Sequence, residues 1–259
     1  MKRLIIAASC SVFASLAQAS LLLNVDFNSP TYSTGPLVGQ DSWTQVGATA
    51  TSPIQVASGA VGPLVQGSAQ DAVHAFSAVT SGSLYYSVAL NFTSKNTTAD
   101  YALTLGDGGA SSFGGRLYAK SSGAGYVLAW GGSSTAPATF GVELAFSTTY
   151  NVVFRYDIVS GLANDTGKLY VSTSPFTLSE GSYTAYQDVT TWTGGTEVTS
   201  FAGAYIRQGT NSGVLTLDNY QVGTTFKDVT PVPEPHEYAI AMAGLLGAII
   251  LMRRRRMVA

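Results

Sequence analysis

The stretch Leu84-Tyr85-Tyr86-Ser87-Val88-Ala89-Leu90-Asn91-Phe92 alternates in polarity along its length. Leu84, Tyr86, Val88, Leu90 and Phe92 form one apolar set. A period of two puts alternate side chains on opposite faces of an extended chain, so this segment reads as a half-buried β-strand. Tyr150, Val152, Phe154, Tyr156 and Ile158 repeat the pattern, with Asn151, Arg155 and Asp157 opposite. Faces of this kind are buried against a second sheet.

Working outward, the same reading predicts strands over residues 21–27, 101–105, 116–119, 126–130, 141–146, 168–172, 202–208 and 214–222, with Val73-His74-Ala75-Phe76 as a further strand. Clusters such as Gly106-Asp107-Gly108-Gly109, Ser121-Ser122-Gly123 and Asn164-Asp165-Thr166-Gly167 separate them and supply turn conformations. Between residues 20 and 230 no long segment has a helical period, and no repeat of fixed length appears. The prediction is an all-β sandwich or barrel in one domain.

Composition narrows the function classes. Of 259 residues only 11% are charged, 46% are hydrophobic, 28 are Gly and one is Cys. A coiled coil, a disulfide framework and a nucleic-acid binder each need residues this chain lacks. The formal net charge of −2 hides segregation. Residues 20–230 hold seven basic and 13 acidic side chains, a net charge of −6, while Lys2, Arg3 and Arg253 to Arg256 crowd the ends.

The N-terminus has the parts of a secretory signal. Lys2-Arg3 is basic, residues 4–14 are apolar, and Ala17-Gln18-Ala19 offers small residues where a signal peptidase needs them. Cleavage is predicted between Ala19 and Ser20, leaving a mature protein without cysteine. At the other end, Tyr238 to Met252 is a run of 15 uncharged residues stopped by Arg253, Arg254, Arg255 and Arg256. As a helix it reaches roughly 22 Å against a hydrocarbon core of about 30 Å, and snorkelling arginines with local thinning cover the difference. The arginines are expected on the cytoplasmic side and the acidic body on the other. Alternating prolines before this run keep the chain extended and without ladder donors.

Val232-Pro233-Glu234-Pro235, a short apolar stretch and a terminal Arg run closely resemble the PEP-CTERM sorting signal of Gram-negative bacteria. The resemblance implies recognition by an exosortase, a membrane protease or transpeptidase that removes the helix and basic tail. His236-Glu237 departs from the small hydroxyl residues usual there. More loosely, the body resembles concanavalin A-like (LamG-like) jelly rolls, through Asp26-Phe27, residues 39–43, residues 149–157 with Lys168-Leu169-Tyr170-Val171, and residues 217–223. That resemblance implies a two-sheet antiparallel β-sandwich that binds glycans or proteins, hydrolyses polysaccharide or serves as a surface module.

Catalytic constellations are scarce. His74 is the body's single histidine, and the other, His236, lies in the sorting segment. A hydrogen-bonded strand histidine competes with a general base at His74. There is no Gly-x-Ser-x-Gly elbow, and Glu143, Glu180 and Glu197 lack the two-residue offset expected of a glucanase carboxylate pair. Asp26, Asp157 and Asp218, with Asp41, Asp107 and Asp165, are hard oxygen donors suited to Ca²⁺, although turn formation is the competing role. Trp43, Trp130 and Trp192 offer indole faces for stacking sugar rings, with core packing as the alternative.

The sequence therefore predicts an exported protein in three parts: a signal peptide over 1–19, a β-sandwich over 20–230 and a sorting signal over 231–259. Its precursor is anchored in the inner membrane and its product reaches the cell surface or medium. The expected partners are signal peptidase, exosortase and extracellular polysaccharide, with no nucleic acid. The expected role is non-catalytic, in adhesion, glycan binding or biofilm matrix, without a cofactor other than Ca²⁺. A secreted polysaccharide hydrolase or lyase is the alternative.

Overall fold

The computed structural model describes residues 20–47, 52–65, 67, 70–110, 112–132, 134–161, 163–189 and 197–230. The predicted signal peptide with Ala17 and Ala19, the sorting motif Val232 to Pro235, the arginines Arg253 to Arg256 and Trp192 lie outside the described residues. Among the described residues no helix is long and apolar enough to cross a membrane.

The strands are β1 (Leu21–Val25), β2 (Gly35–Pro36), β3 (Thr44–Val46), β4 (Gln55–Ala57), β5 (Ala60–Val61), β6 (Asp71–Val79), β7 (Gly82–Ser94), β8 (Asp100–Gly106), β9 (Phe113–Ser122), β10 (Gly125–Gly131), β11 (Tyr150–Ile158), β12 (Thr166–Ser172), β13 (Gln187–Val189), β14 (Phe201–Arg207) and β15 (Val214–Gly223). Two 3₁₀ turns, Glu180–Ser182 and Lys227–Val229, complete the elements. The strands form two antiparallel sheets. One has nine strands in the order β13-β12-β11-β7-β15-β5-β4-β2, with β1 also paired to β15. The other has six, in the order β10-β9-β8-β14-β6-β3. This two-sheet sandwich is consistent with a jelly roll.

Register explains the core. Tyr86 of β7 lies opposite Phe154 of β11 on one side and Val222 of β15 on the other. The alternating apolar set of β7 therefore continues across its neighbours, and Leu84, Tyr86, Val88, Leu90 and Phe92 are all buried. Leu103, Leu105, Leu117, Leu128, Phe201 and Ile206 of the six-stranded sheet complete the same cluster. Aromatic rings fill its middle: Trp130 stacks on Phe154 with centroids 5.3 Å apart, and Tyr156 meets Phe201 edge-on at 4.7 Å. Gly167 is required here, because a Cβ would stand 2.7 Å from the Arg155 carbonyl oxygen and 3.2 Å from the Trp130 ring.

The strand predicted over residues 141–146 does not form. Leu144 makes one isolated bridge to Tyr126, and the segment is otherwise irregular. The reason lies in Tyr186, whose hydroxyl accepts from the Leu128 amide at 3.2 Å and donates to the Val142 carbonyl oxygen. Gln187 likewise accepts from the Trp130 amide at 2.6 Å and donates to the Thr139 carbonyl at 3.1 Å. Side chains at the edge of one sheet thus occupy ladder groups along the edge of the other, which protects β10 from pairing with another chain.

Candidate functional site

The outer face of the nine-stranded sheet carries the polar residues left over when the apolar set turns inward. Cross-strand register brings Ser172, Asn151, Ala89 and Asp218 into one row, and Tyr170, Val153, Ser87, Gln221 and Asn24 into the next. Over these rows runs a groove of about 280 Å³. Its floor is Ser87, Ala89, Asn151, Val153 and Gln221, and Pro175, Phe176, Asn219, Val229 and Thr230 line it above the sheet.

The small side chain of Ala89 leaves space between Asn151 and Asp218. Gln221 donates to the Asn24 side-chain oxygen at 2.8 Å and accepts from the Ser87 hydroxyl at 3.4 Å, which orients its amide. Asn219 sits in the left-handed region with φ of 52°, at an irregularity where β15 shifts register between Asp218 and Gln221. Asx side chains tolerate this conformation, and the bulge presents Asn219 at the groove edge. Burial raises the Asp218 carboxyl above the usual range, with the nearby Asp26 charge adding to the effect. The arrangement offers amides, hydroxyls and the Asp218 carboxyl, donors and acceptors together, around a small floor. Such a surface can both donate hydrogen bonds to and accept them from a polar ligand.

Beside the groove the Glu180–Ser182 turn lowers one carboxylate onto the sheet. Glu180 accepts from Tyr85 at 2.9 Å, from Tyr170 at 2.7 Å and from Arg155 at 3.2 Å. The Arg155 Nε donates to Asp157 at 2.7 Å, and Asp157 also accepts from Ser83 at 2.5 Å and Thr166 at 3.2 Å. Burial, followed by the hydrogen bond to Glu180, raises the Tyr85 and Tyr170 phenols well above their ordinary range. They remain neutral donors, and the carboxylate they satisfy holds the groove wall in place. Phe176, Phe226 and Val229 pack with Tyr85, Val153 and Tyr170 in a second apolar cluster under the same turn.

The residues predicted from sequence are distributed differently. Trp43 and Trp130 are 1% and 2% exposed, so neither presents a face for a sugar ring, and core packing is their role. Trp43 donates its Nε1 hydrogen to the Tyr32 hydroxyl at 3.0 Å, which itself donates to Asp41 at 2.7 Å. His74 packs edge-on against Trp43 at 5.4 Å, with Nε2 3.8 Å from Asp41.

The predicted calcium donors are not assembled together. Asp157 is held in the Arg155 cluster, Asp26 caps the amide of Asn28 at 3.0 Å, and Asp218 accepts from the Asn219 amide at 2.7 Å. Asp107 accepts from Gly109 and Asp165 from Tyr156 and Val159. Among the described residues no group of three or more His, Cys, Asp and Glu side chains is placed to hold a metal ion. Of the three glutamates in the body, Glu180 alone stands beside the groove; Glu197 accepts from the Ala163 amide at 2.5 Å.

Sequence reasoning missed Ser87, Asn151, Gln221 and Glu180. Asn151 carried a signal, as the polar member opposite the apolar set of β11, but a polar strand face is ordinarily solvated.

No protein-family model matches the chain, and no curated protein does. Among solved structures, it is similar to a mutant of the alginate lyase Aly36B in complex with alginate trisaccharide, with 11% identity, a TM-score of 0.50, and coverage of 78% of this chain and 97% of that one. It is also similar to domain 4 of AbnA, an extracellular arabinanase from Geobacillus stearothermophilus, in complex with arabinotriose, at 15% identity and TM-score 0.45, covering 83% and 99%. The carbohydrate recognition domain of Emp47p gives 11%, 0.40, 79% and 95% in the same order. At this identity the first likeness shows a shared fold.

Proposed function

We propose that this chain is an exported bacterial surface or matrix protein whose β-sandwich binds glycan, without catalysis, in the amide-lined groove of the nine-stranded sheet. The observation that carries the reading is the row Asn151, Ala89 and Asp218 beside Ser87 and Gln221, walled by Phe176 and Thr230. Amides and hydroxyls over a small floor suit sugar hydroxyls. The fold is one on which the alginate lyase was solved with a bound trisaccharide. Glu180, beside the groove, already receives two phenols and a guanidinium. That saturation weighs against an acid–base role for Glu180.

The ends of the chain supply its address. The signal over 1–19 is proposed to be cut by signal peptidase, and Val232-Pro233-Glu234-Pro235 with Arg253 to Arg256 to be read by an exosortase as a PEP-CTERM signal. Binding is tested on a glycan array with the exported, purified protein; retention of neutral or uronate-containing oligosaccharides is expected, and no retention on any of them contradicts the reading. Sorting is tested by replacing Pro233, Glu234 and Pro235 with Ala and fractionating cells, where the variant is expected to remain in the membrane fraction. Equal partition of wild type and variant contradicts it.

A further inference from the structure

Ser20, the first described residue, is tied to the segment that follows β15. Its backbone nitrogen lies 3.1 Å from the Thr224 hydroxyl oxygen and 3.2 Å from Asp228 Oδ2. Its carbonyl oxygen accepts from the Thr224 amide at 3.1 Å. The same Asp228 oxygen accepts from the amides of Thr224 at 3.1 Å and Thr225 at 2.8 Å, fixing the entry to the Lys227–Val229 turn. An amide nitrogen has one hydrogen to share between these two acceptors, whereas an ammonium has three. The site fits an ammonium better than it fits a peptide bond.

We infer that cleavage between Ala19 and Ser20 creates an α-ammonium that pairs with Asp228, and that this pair holds the Lys227–Val229 wall of the groove more firmly in the mature protein than in the precursor. The inference rests on the proposed signal-peptide cut. In that step water adds across the Ala19–Ser20 peptide bond. Ala19 leaves as a carboxylate, and the Ser20 nitrogen becomes an amine that is protonated at neutral pH, since its ordinary pKa is about 8.

The consequence reaches the groove through two residues. Val229 follows Asp228 in the turn, is buried, and packs with Phe226 against Tyr85, Val153 and Tyr170. Thr230 donates its hydroxyl to the Phe226 carbonyl at 2.9 Å and lines the groove beside Val229. The charged side chains of this turn are Asp228 and Lys227; β1 carries none, and the nearest acid of β15 is Asp218. Asp228 is thus the carboxylate that an ammonium at Ser20 meets. Removal of the signal peptide would then tighten this wall after export, so that the precursor and the mature protein differ in how firmly the turn is held.

The test uses the full chain exported from a Gram-negative host and, separately, an Ala19→Tyr variant whose bulky side chain blocks signal peptidase. N-terminal sequencing of the exported protein is expected to begin at Ser20; a different first residue overturns the signal reading and this inference with it. With Ser20 established, the α-amine is reductively methylated with ¹³C and titrated by NMR. It is expected to titrate above about 8, and to fall back to about 8 in Asp228→Asn. Titration at the ordinary value in both overturns the inference alone. As a check independent of labelling, Asp228→Asn is expected to lower the melting temperature more in the cleaved chain than in the Ala19→Tyr chain. An equal drop overturns the pair, because loss of the Thr224 and Thr225 bonds is common to both.

Discussion

Tyr170 donates its phenolic hydrogen to Glu180 across 2.7 Å, joining β12, the second strand from the edge of the nine-stranded sheet, to a turn that no ladder reaches. Because Tyr85 and Arg155 meet the same carboxylate, one side chain holds the turn and, with it, the Phe176 wall of the groove. Glu180→Gln keeps the shape and removes the charge. Loss of charge-assisted bonds to partly buried partners is expected to cost about 1–3 kcal/mol. Urea unfolding measures it; an unchanged midpoint shows that the turn is held by apolar packing alone.

The buried tryptophans give a contrasting expectation. Trp130→Ala removes a ring stacked on Phe154 and is expected to cost about 3–5 kcal/mol, as for other large-to-small core changes. Trp43→Phe is milder, since it keeps the ring against Phe27 and loses the bond to Tyr32. Neither substitution should alter glycan affinity in the protein that remains folded. A large affinity loss in folded Trp43→Phe would return that indole to the binding site.

Alkaline stability follows from the phenols. Burial raises Tyr118, Tyr186 and Tyr205 to about 12, and Tyr86, Tyr126, Tyr156 and Tyr220 further still. Each is an acid harder to ionise in the folded chain than in the unfolded one. The stability linked to them is therefore whole below about pH 10, the unfolded value, and lost as pH rises toward the folded values. Absorbance at 295 nm is expected to rise in a cooperative step that coincides with loss of near-ultraviolet dichroism. A gradual rise near pH 10 with the fold intact would contradict the burial described.

Tyr86 and Tyr220 add a stability test inside the core. Both rings are fully buried, 6.0 Å apart, and their hydroxyls have no hydrogen-bond partner among the described residues. Tyr220→Phe therefore removes a buried polar group without breaking a protein hydrogen bond, and thermal unfolding is expected to be unchanged or shifted upward. A loss of 2 kcal/mol or so, the scale of a broken buried hydrogen bond, would show that the hydroxyl is satisfied.

Much of the fold was legible because β7 and β11 are long enough to show a period of two, and their apolar sets do face the core. The segments β2, β4, β5 and β13 were not, since two or three residues carry no period. Residues 141–146 alternate in sequence and keep backbone bonds from Gly141 and Leu144 to β10, but Tyr186 takes the Leu128 amide and the Val142 carbonyl between them, a contact between distant segments. The site was less legible for the same reason. Ser87, Asn151 and Gln221 become neighbours only through register, and Glu180 finds its phenols only when its turn folds over the sheet. Trp43 and Trp130 misled in the other direction, because an indole that stacks on sugar and an indole that fills a core have the same sequence signature.

Titration calorimetry with an array-selected oligosaccharide shows whether glycan sits in the groove. Asn151→Ala and Ala89→Phe are compared with wild type after each is shown to melt within a few degrees of it. Losing one amide's hydrogen bonds is expected to weaken binding by about tenfold, and filling the floor beside Asn151 to abolish it. Wild-type affinity in both folded variants would contradict the assignment and place the glycan elsewhere on the sandwich.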